Sequence, residues 1–200
     1  MPFLDIMRLP SFALIYFAAL VGSVALFMPF VFLVTYATDN GISDGRAALL
    51  LQVLGGTSVV GRLGLGALAG RTGVVRLYQG SFLLLGVSFV LWLVAGSSFA
   101  LLLAFVLALG VGYGGFIALA PAVAAQLFGV RGLGGILGAS YTAAGVGGLI
   151  GPPLGGLLVD VTDGYTTTIV LSLAAGLVAF AILTRVPSDQ PRSVEHAATR

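Results

Sequence analysis

An all-α membrane fold of six transmembrane helices is what this sequence predicts, and three observations carry the prediction. Of its 200 residues, 58% are hydrophobic and only 8% are charged, with a mean hydropathy of +1.12. A soluble chain carries about 25% charged residues, so lipid must be the solvent for most of this one. Apolar runs of roughly 20 residues or more, the length that crosses a bilayer as a helix, occur six times. The breaks between them are short, polar or glycine-bearing, and they carry arginine on alternate sides.

The runs fall at about 11–38, 46–70, 77–95, 99–126, 132–159 and 166–185. Several exceed the minimum length, which permits tilt without fixing an angle. "TDNGISDGR", "GRTGVVR", "AGSS", "FGVRG" and "DVTDGY" separate them. Residues 1–10 read as the end of a cytoplasmic linker, and 186–200, polar with two prolines, as a disordered cytoplasmic tail. No cleavable signal peptide is evident in the first run, which is too long for one and lacks a small-residue cleavage site.

All nine basic residues are arginine. Arg8, Arg71, Arg76, Arg131, Arg185, Arg192 and Arg200 fall on one side of the six runs, whereas the other side holds Arg46 with Asp39, Asp44, Asp160 and Asp163. Arginine-rich loops stay in the cytoplasm, so both termini are expected there. A composition rich in alanine and arginine, without lysine, suggests a GC-rich bacterial genome and hence the inner membrane. The net charge of about +2 is too sparse to suggest nucleic acid as a partner, and the lack of cysteine excludes disulfide and thiol chemistry.

One arginine is out of place. Arg62 stands inside the second run, about 12 Å from its cytoplasmic end at 1.5 Å per residue. A charge at bilayer centre costs about 2.5–3.5 kcal/mol on insertion scales. The plain reading is a side chain that snorkels to the headgroups. The functional reading is a cation facing a water-filled cavity, where its planar fork suits a carboxylate. At 100° per residue, Leu51, Gly55, Ser58, Arg62 and Leu65 share one face, with two small residues outward of the guanidinium.

Glycine is the second theme, at 30 residues. Gly66 and Gly70, Gly110 and Gly114, and Gly147, Gly151 and Gly155 have the small-xxx-small spacing that lets helices in lipid approach closely. Pro29, Pro152 and Pro153 are expected to bend their helices. Of the remaining polar groups, Gln52, Thr57, Ser58, Ser140 and Thr142 suit inter-helix hydrogen bonds, and Tyr113 and Tyr141 could line a cavity. Tyr36, Tyr78 and Tyr165 fall at run ends and read as interfacial belt residues. "GLGALA" at 64–69 matches a dinucleotide-binding spacing but has no strand before it. "GASY" around Ser140 lacks a base, since the single histidine, His196, lies in the tail. Neither a metal site, a cofactor nor an enzymatic constellation is predicted.

"GRLGLGALAGRTG" resembles the cytoplasmic loop motif of the major facilitator superfamily, in the copy joining the eighth and ninth helices. With "IMRLPSF", "MPFVFLVTYATDNGIS" and "LFGVRGLGGILGASYTAAGVGGLIGPPLGGLLVDVTDGY", the chain resembles the C-terminal six helices of a monocarboxylate-porter or oxalate/formate-type carrier. That resemblance implies two inverted three-helix repeats and transport of a small organic anion by alternating access, often with a proton. It implies substrate binding by Arg62, with Ser58, Tyr113 and Tyr141 nearby, and a gating loop of Gly61, Gly66, Gly70 and Arg71. Pro29, Gly147, Gly151, Pro152 and Gly155 would serve packing and bending.

Three departures accompany it. Ser58 stands where monocarboxylate porters often place an acid, Ala144 where oxalate-type carriers place a lysine, and Gly70 where the loop motif usually has Asp. A facilitator needs about twelve helices with its site between two halves. The expected partners are therefore lipid, a small carboxylate and an N-terminal six-helix half, supplied by the same gene, a separate chain or a second copy. Residues 1–10 favour a piece of a longer gene. Efflux of drugs or other non-carboxylate compounds, or a membrane scaffold that transports nothing, are the alternatives.

Overall fold

The computed structural model describes residues 3–187 and is all-helical, with no strand among the described residues. A short helix α1 (Phe3–Met7) precedes α2 (Pro10–Asp39), α3 (Asp44–Thr72), α4 (Val74–Leu93), α5 (Phe99–Phe128), α6 (Leu133–Thr162) and α7 (Thr166–Leu183). The last six are long and apolar enough to cross a membrane. The predicted tail lies almost wholly outside the described residues. Where residues 1–10 read as linker, the chain forms α1 and buries Ile6 with Phe12, Ala124 and Ile136.

Helix lengths follow a pattern that repeats. The helices α2, α3 and α4 have 30, 29 and 20 residues, and α5, α6 and α7 have 30, 30 and 18. Packing repeats in the same way. Helix α5 lies against α3 and α4, α2 lies against α6 and α7, and α4 meets α7. Exchanging the two triplets maps these contacts onto themselves. Two spans lie between each helix and its counterpart, so the counterparts run in opposite directions. This is the arrangement of an inverted repeat, the one the resemblance above implies.

Lipid tails are as apolar as leucine, so close contact and hydrogen bonds must hold the helices together. Glycine supplies the closeness at matching crossings. A Cβ at Gly61 of α3 would stand 2.6 Å from the Val111 carbonyl oxygen of α5, and one at Gly151 of α6 would stand 3.0 Å from that of Val24 on α2. Gly147 lies against the backbone of Leu20, and Gly155 against Met28 and Phe32. At the centre, α4 and α7 cross glycine on glycine, Gly86 over Gly176. Thr57 Oγ1 donates to the carbonyls of Val53 (2.8 Å) and, across the α3–α5 crossing, Val106 (3.3 Å). Thr168 Oγ1 donates to the Gly155 carbonyl at 3.0 Å and ties α7 to α6.

The ends are fastened by other means. Gln79 Nε2 donates to the Leu183 carbonyl at 2.8 Å, capping the last turn of α7 from α4. Gly73 alone separates α3 from α4, at φ +90°, a conformation that a Cβ would oppose. At the acidic end, Tyr165 Oη donates to Asp39 Oδ2 at 2.6 Å and its ring meets Tyr36 edge-on, which in turn meets Trp92. Tyr36 and Tyr78, expected at an interface, are buried in the core instead. Both occupy the middle of aromatic clusters, Tyr36 between Trp92 and Tyr165 and Tyr78 between Phe82 and Phe116. Helices α2, α5 and α6 run unbroken through Pro29, Pro121 and the Pro152–Pro153 pair.

Candidate functional site

Arg62 is exposed at the margin of the α3–α5 crossing. Its guanidinium carbon lies 5.9 Å from the centroid of the Tyr113 ring on α5, within cation–π range. Gly114 makes this pairing possible. A Cβ there would strike the Ser58 carbonyl and stand 2.7 Å from the Arg62 amide nitrogen, so only glycine lets the α5 backbone lie on the turn that bears the arginine.

The Tyr113 ring meets Phe30 of α2 edge-on at 5.9 Å, and Phe30 meets Phe27 at 6.1 Å. Phe27 in turn lies where a Cβ at Gly148 of α6 would touch its ring. Arg62, Tyr113, Phe30 and Phe27 thus form a strip over three helices, with Gly148 of the fourth, α6, against its end, and Phe30 and Phe27 keep 39% and 36% of their surface exposed. The strip is an apolar wall with one fixed positive charge at its end. Chemically it can hold an anion at the guanidinium and a hydrocarbon body along the rings.

The predicted residues divide around this strip. Gly55, one of the two small residues outward of Arg62, faces open space. Ser58 does not: it is 3% exposed, and its hydroxyl donates to the Gly55 carbonyl of its own helix at 2.7 Å. Tyr141 is exposed on α6 and lines a cleft with Ser140, Tyr78, Phe116 and Ile15, away from the Arg62–Tyr113 pair. Gly61 is packed on α5, whereas Gly66 and Gly70 face open space, and Arg71 is exposed in the last turn of α3. There a cation complements the negative helix end. Of the residues proposed for packing and bending, Gly147, Gly151, Gly155 and Pro29 are buried and Pro152 is half-buried. Phe27 and Phe30 were not read from the sequence as site residues. Their only signal was one-turn spacing beside Pro29.

Helices α3 and α6 are the least buried of the six spans. Val60 and Leu63 on α3 and Leu149 and Leu157 on α6 keep 59% or more of their surface exposed. The strip opens beside these same two helices.

Residues 13–200 match the family model of the Major Facilitator Superfamily. Among similar proteins, monocarboxylate transporter 12-B of Danio rerio is 32% identical over 78% of this chain and 34% of its own length. Monocarboxylate transporter 3 of Mus musculus is 36% identical over 80% of the chain and 32% of its own. Monocarboxylate transporter 4 of Rattus norvegicus is 32% identical over 90% of the chain and 39% of its own. The chain therefore spans about a third of the length of the curated relatives it matches. With six apolar helices in two inverted triplets and a family match over nearly its whole length, this chain belongs to the Major Facilitator Superfamily of membrane transporters.

Proposed function

We propose that this chain is one half of a twelve-helix carrier that moves a small monocarboxylate-like anion by alternating access. The observation that carries the reading is Arg62, a permanent cation inside a span, exposed and seated on the Tyr113 ring with open space at Gly55. A carboxylate accepts two parallel N–H bonds from such a fork. The names of the similar proteins support the same substrate class. The second six-helix half comes from the same gene, a separate chain or a second copy. No enzymatic step is assigned to the chain. The arginine-rich end lies in the cytoplasm, as the charge asymmetry favours, and the carrier in the inner membrane, as the lysine-free, alanine- and arginine-rich composition favours.

The test is uptake of radiolabelled formate, lactate and pyruvate into proteoliposomes holding the whole carrier. Arg62→Gln should lower carboxylate uptake at least about a hundredfold, the scale of losing a charge-assisted pair. Arg62→Lys should restore part of it, since the charge remains but the fork does not. Unchanged uptake by R62Q would remove Arg62 from the site. The exposed rings of Phe27 and Phe30 favour a second reading, efflux of a larger apolar compound. Under that reading an apolar drug, and none of the three carboxylates, would compete for transport.

A further inference from the structure

We infer that the arginine-rich end of α4 and α7 binds an anionic phospholipid, its phosphate held between Arg76 and Arg185 and its acyl chains lying along the outer faces of the two helices. The inference does not depend on what the carrier transports.

One hydrogen-bonded tie brings the two arginines to the same corner. Gln79 Nε2 donates to the carbonyls of Leu183 (2.8 Å) and Val186 (3.4 Å), which stand on either side of Arg185. Arg76 lies one turn before Gln79 on α4, about 4.5 Å nearer the helix start at 1.5 Å per residue. Val186 is buried in the core, so the turn after α7 is pinned while Thr184 and Arg185 stay outside. Both arginines are exposed. A guanidinium presents several N–H donors in a planar fork that matches phosphate oxygens two at a time. Two such forks at the rim of an apolar surface select an anion that has an apolar body.

The apolar body has a surface waiting for it. On α4, Arg76, Gly80, Leu83, Val87 and Val90 follow at intervals of four and three, so they share one face, and all are exposed. On α7, Arg185 is preceded at the same intervals by Ala181, Val178 and Ala174, also exposed. A Cβ at Gly80 would meet nothing within 4 Å, which leaves a shallow recess beside Arg76 for a glycerol backbone. From Arg76 to Val87 is about 16 Å along the axis, close to half of the roughly 30 Å hydrocarbon core. An acyl chain of one leaflet matches that length. The bundle does not use either stripe: α4 and α7 pack on α5 and α2, and on each other at Gly86 and Gly176. The strip that ends at Arg62 runs over α3, α5 and α2 instead. A soluble phosphate would use the arginines alone, whereas a lipid uses the arginines and both stripes. Basic pockets between helices at the membrane surface suit such headgroups.

Native mass spectrometry of the full chain in a neutral detergent tests this, by titration with phosphatidylglycerol and with phosphatidylcholine of the same acyl chains. The parent should bind the anionic lipid about twentyfold more tightly, about fivefold for each arginine. Equal binding of the two lipids would overturn the site outright, whatever the variants do. Arg76→Gln combined with Arg185→Gln should abolish the preference and leave phosphatidylcholine binding unchanged. Arg8→Gln combined with Arg131→Gln removes two other exposed arginines of the same end and should leave the preference intact. An equal loss in both double variants would replace the site by diffuse charge. Glycerol phosphate, which has the headgroup chemistry without the chains, should fail to displace the lipid at about a hundredfold excess. Displacement by it would make this a site for soluble phosphate and overturn the lipid.

Discussion

At the residue scale, the tie between Tyr165 and Asp39 shows how a contact invisible in the sequence can be given a value. Burial first, and the hydrogen bond to Asp39 second, push the Tyr165 hydroxyl from 10.0 up to about 12. A raised phenol favours the protonated, folded form. Its contribution is therefore complete below about pH 10 and is lost as pH climbs through 12. Tyr165→Phe should lower the thermal midpoint in detergent by about 2–4 °C, the effect of roughly 1 kcal/mol in a chain of this size. Above pH 12 the variant and the parent should melt together. A midpoint difference that persisted there would assign the effect to ring packing on Tyr36. Arg62 was legible at this scale, because a charge inside an apolar run stands out and its depth follows from the helical rise. Its contact with Tyr113 was not, since 51 positions separate them and only the α3–α5 crossing brings them together. The inward turn of Ser58 was equally hidden. These helices are apolar on every side, so no polar stripe distinguishes a buried face from an exposed one.

At the scale of the element, glycines with the same spacing have opposite surroundings. Gly110 and Gly114 lie against α3, while Gly66 and Gly70 have open space beyond them. Gly114→Val should cost about 3 kcal/mol through overpacking against the α3 backbone and should remove carboxylate uptake by displacing Arg62. Gly66→Ala should leave the melting midpoint of the chain unchanged or raise it, because alanine is the better helix former by up to about 1 kcal/mol. Thermal melts of both variants in one detergent check the contrast, and equal destabilisation would contradict the geometry. The small-xxx-small spacing announces close packing but does not name the helix that comes close. Helix α4 begins at Val74, three residues before the expected run, because Gly73 makes the whole turn by itself.

At the scale of the whole molecule, the unevenly buried spans α3 and α6 are where a second half is expected. The chain has no cysteine of its own, so a single one can report on each face. Leu63→Cys on α3 and Leu149→Cys on α6, exposed by 72% and 76% in the parent, should react with a membrane-permeant maleimide in the chain alone. Both should be protected at least tenfold when the whole carrier is assembled. Equal labelling in the two preparations would move the covering half elsewhere. Six candidate crossings were plain from composition, whereas the internal symmetry came only with the family resemblance, because its two triplets match in length and packing more than in wording. That symmetry has a mechanical consequence at its centre. Where α4 crosses α7, Gly86 meets Gly176 backbone on backbone, with the Leu85 side chain of α4 beside them. No room for a Cβ is left on either backbone there, so a single methyl group on either glycine would wedge the two triplets apart at their shared centre.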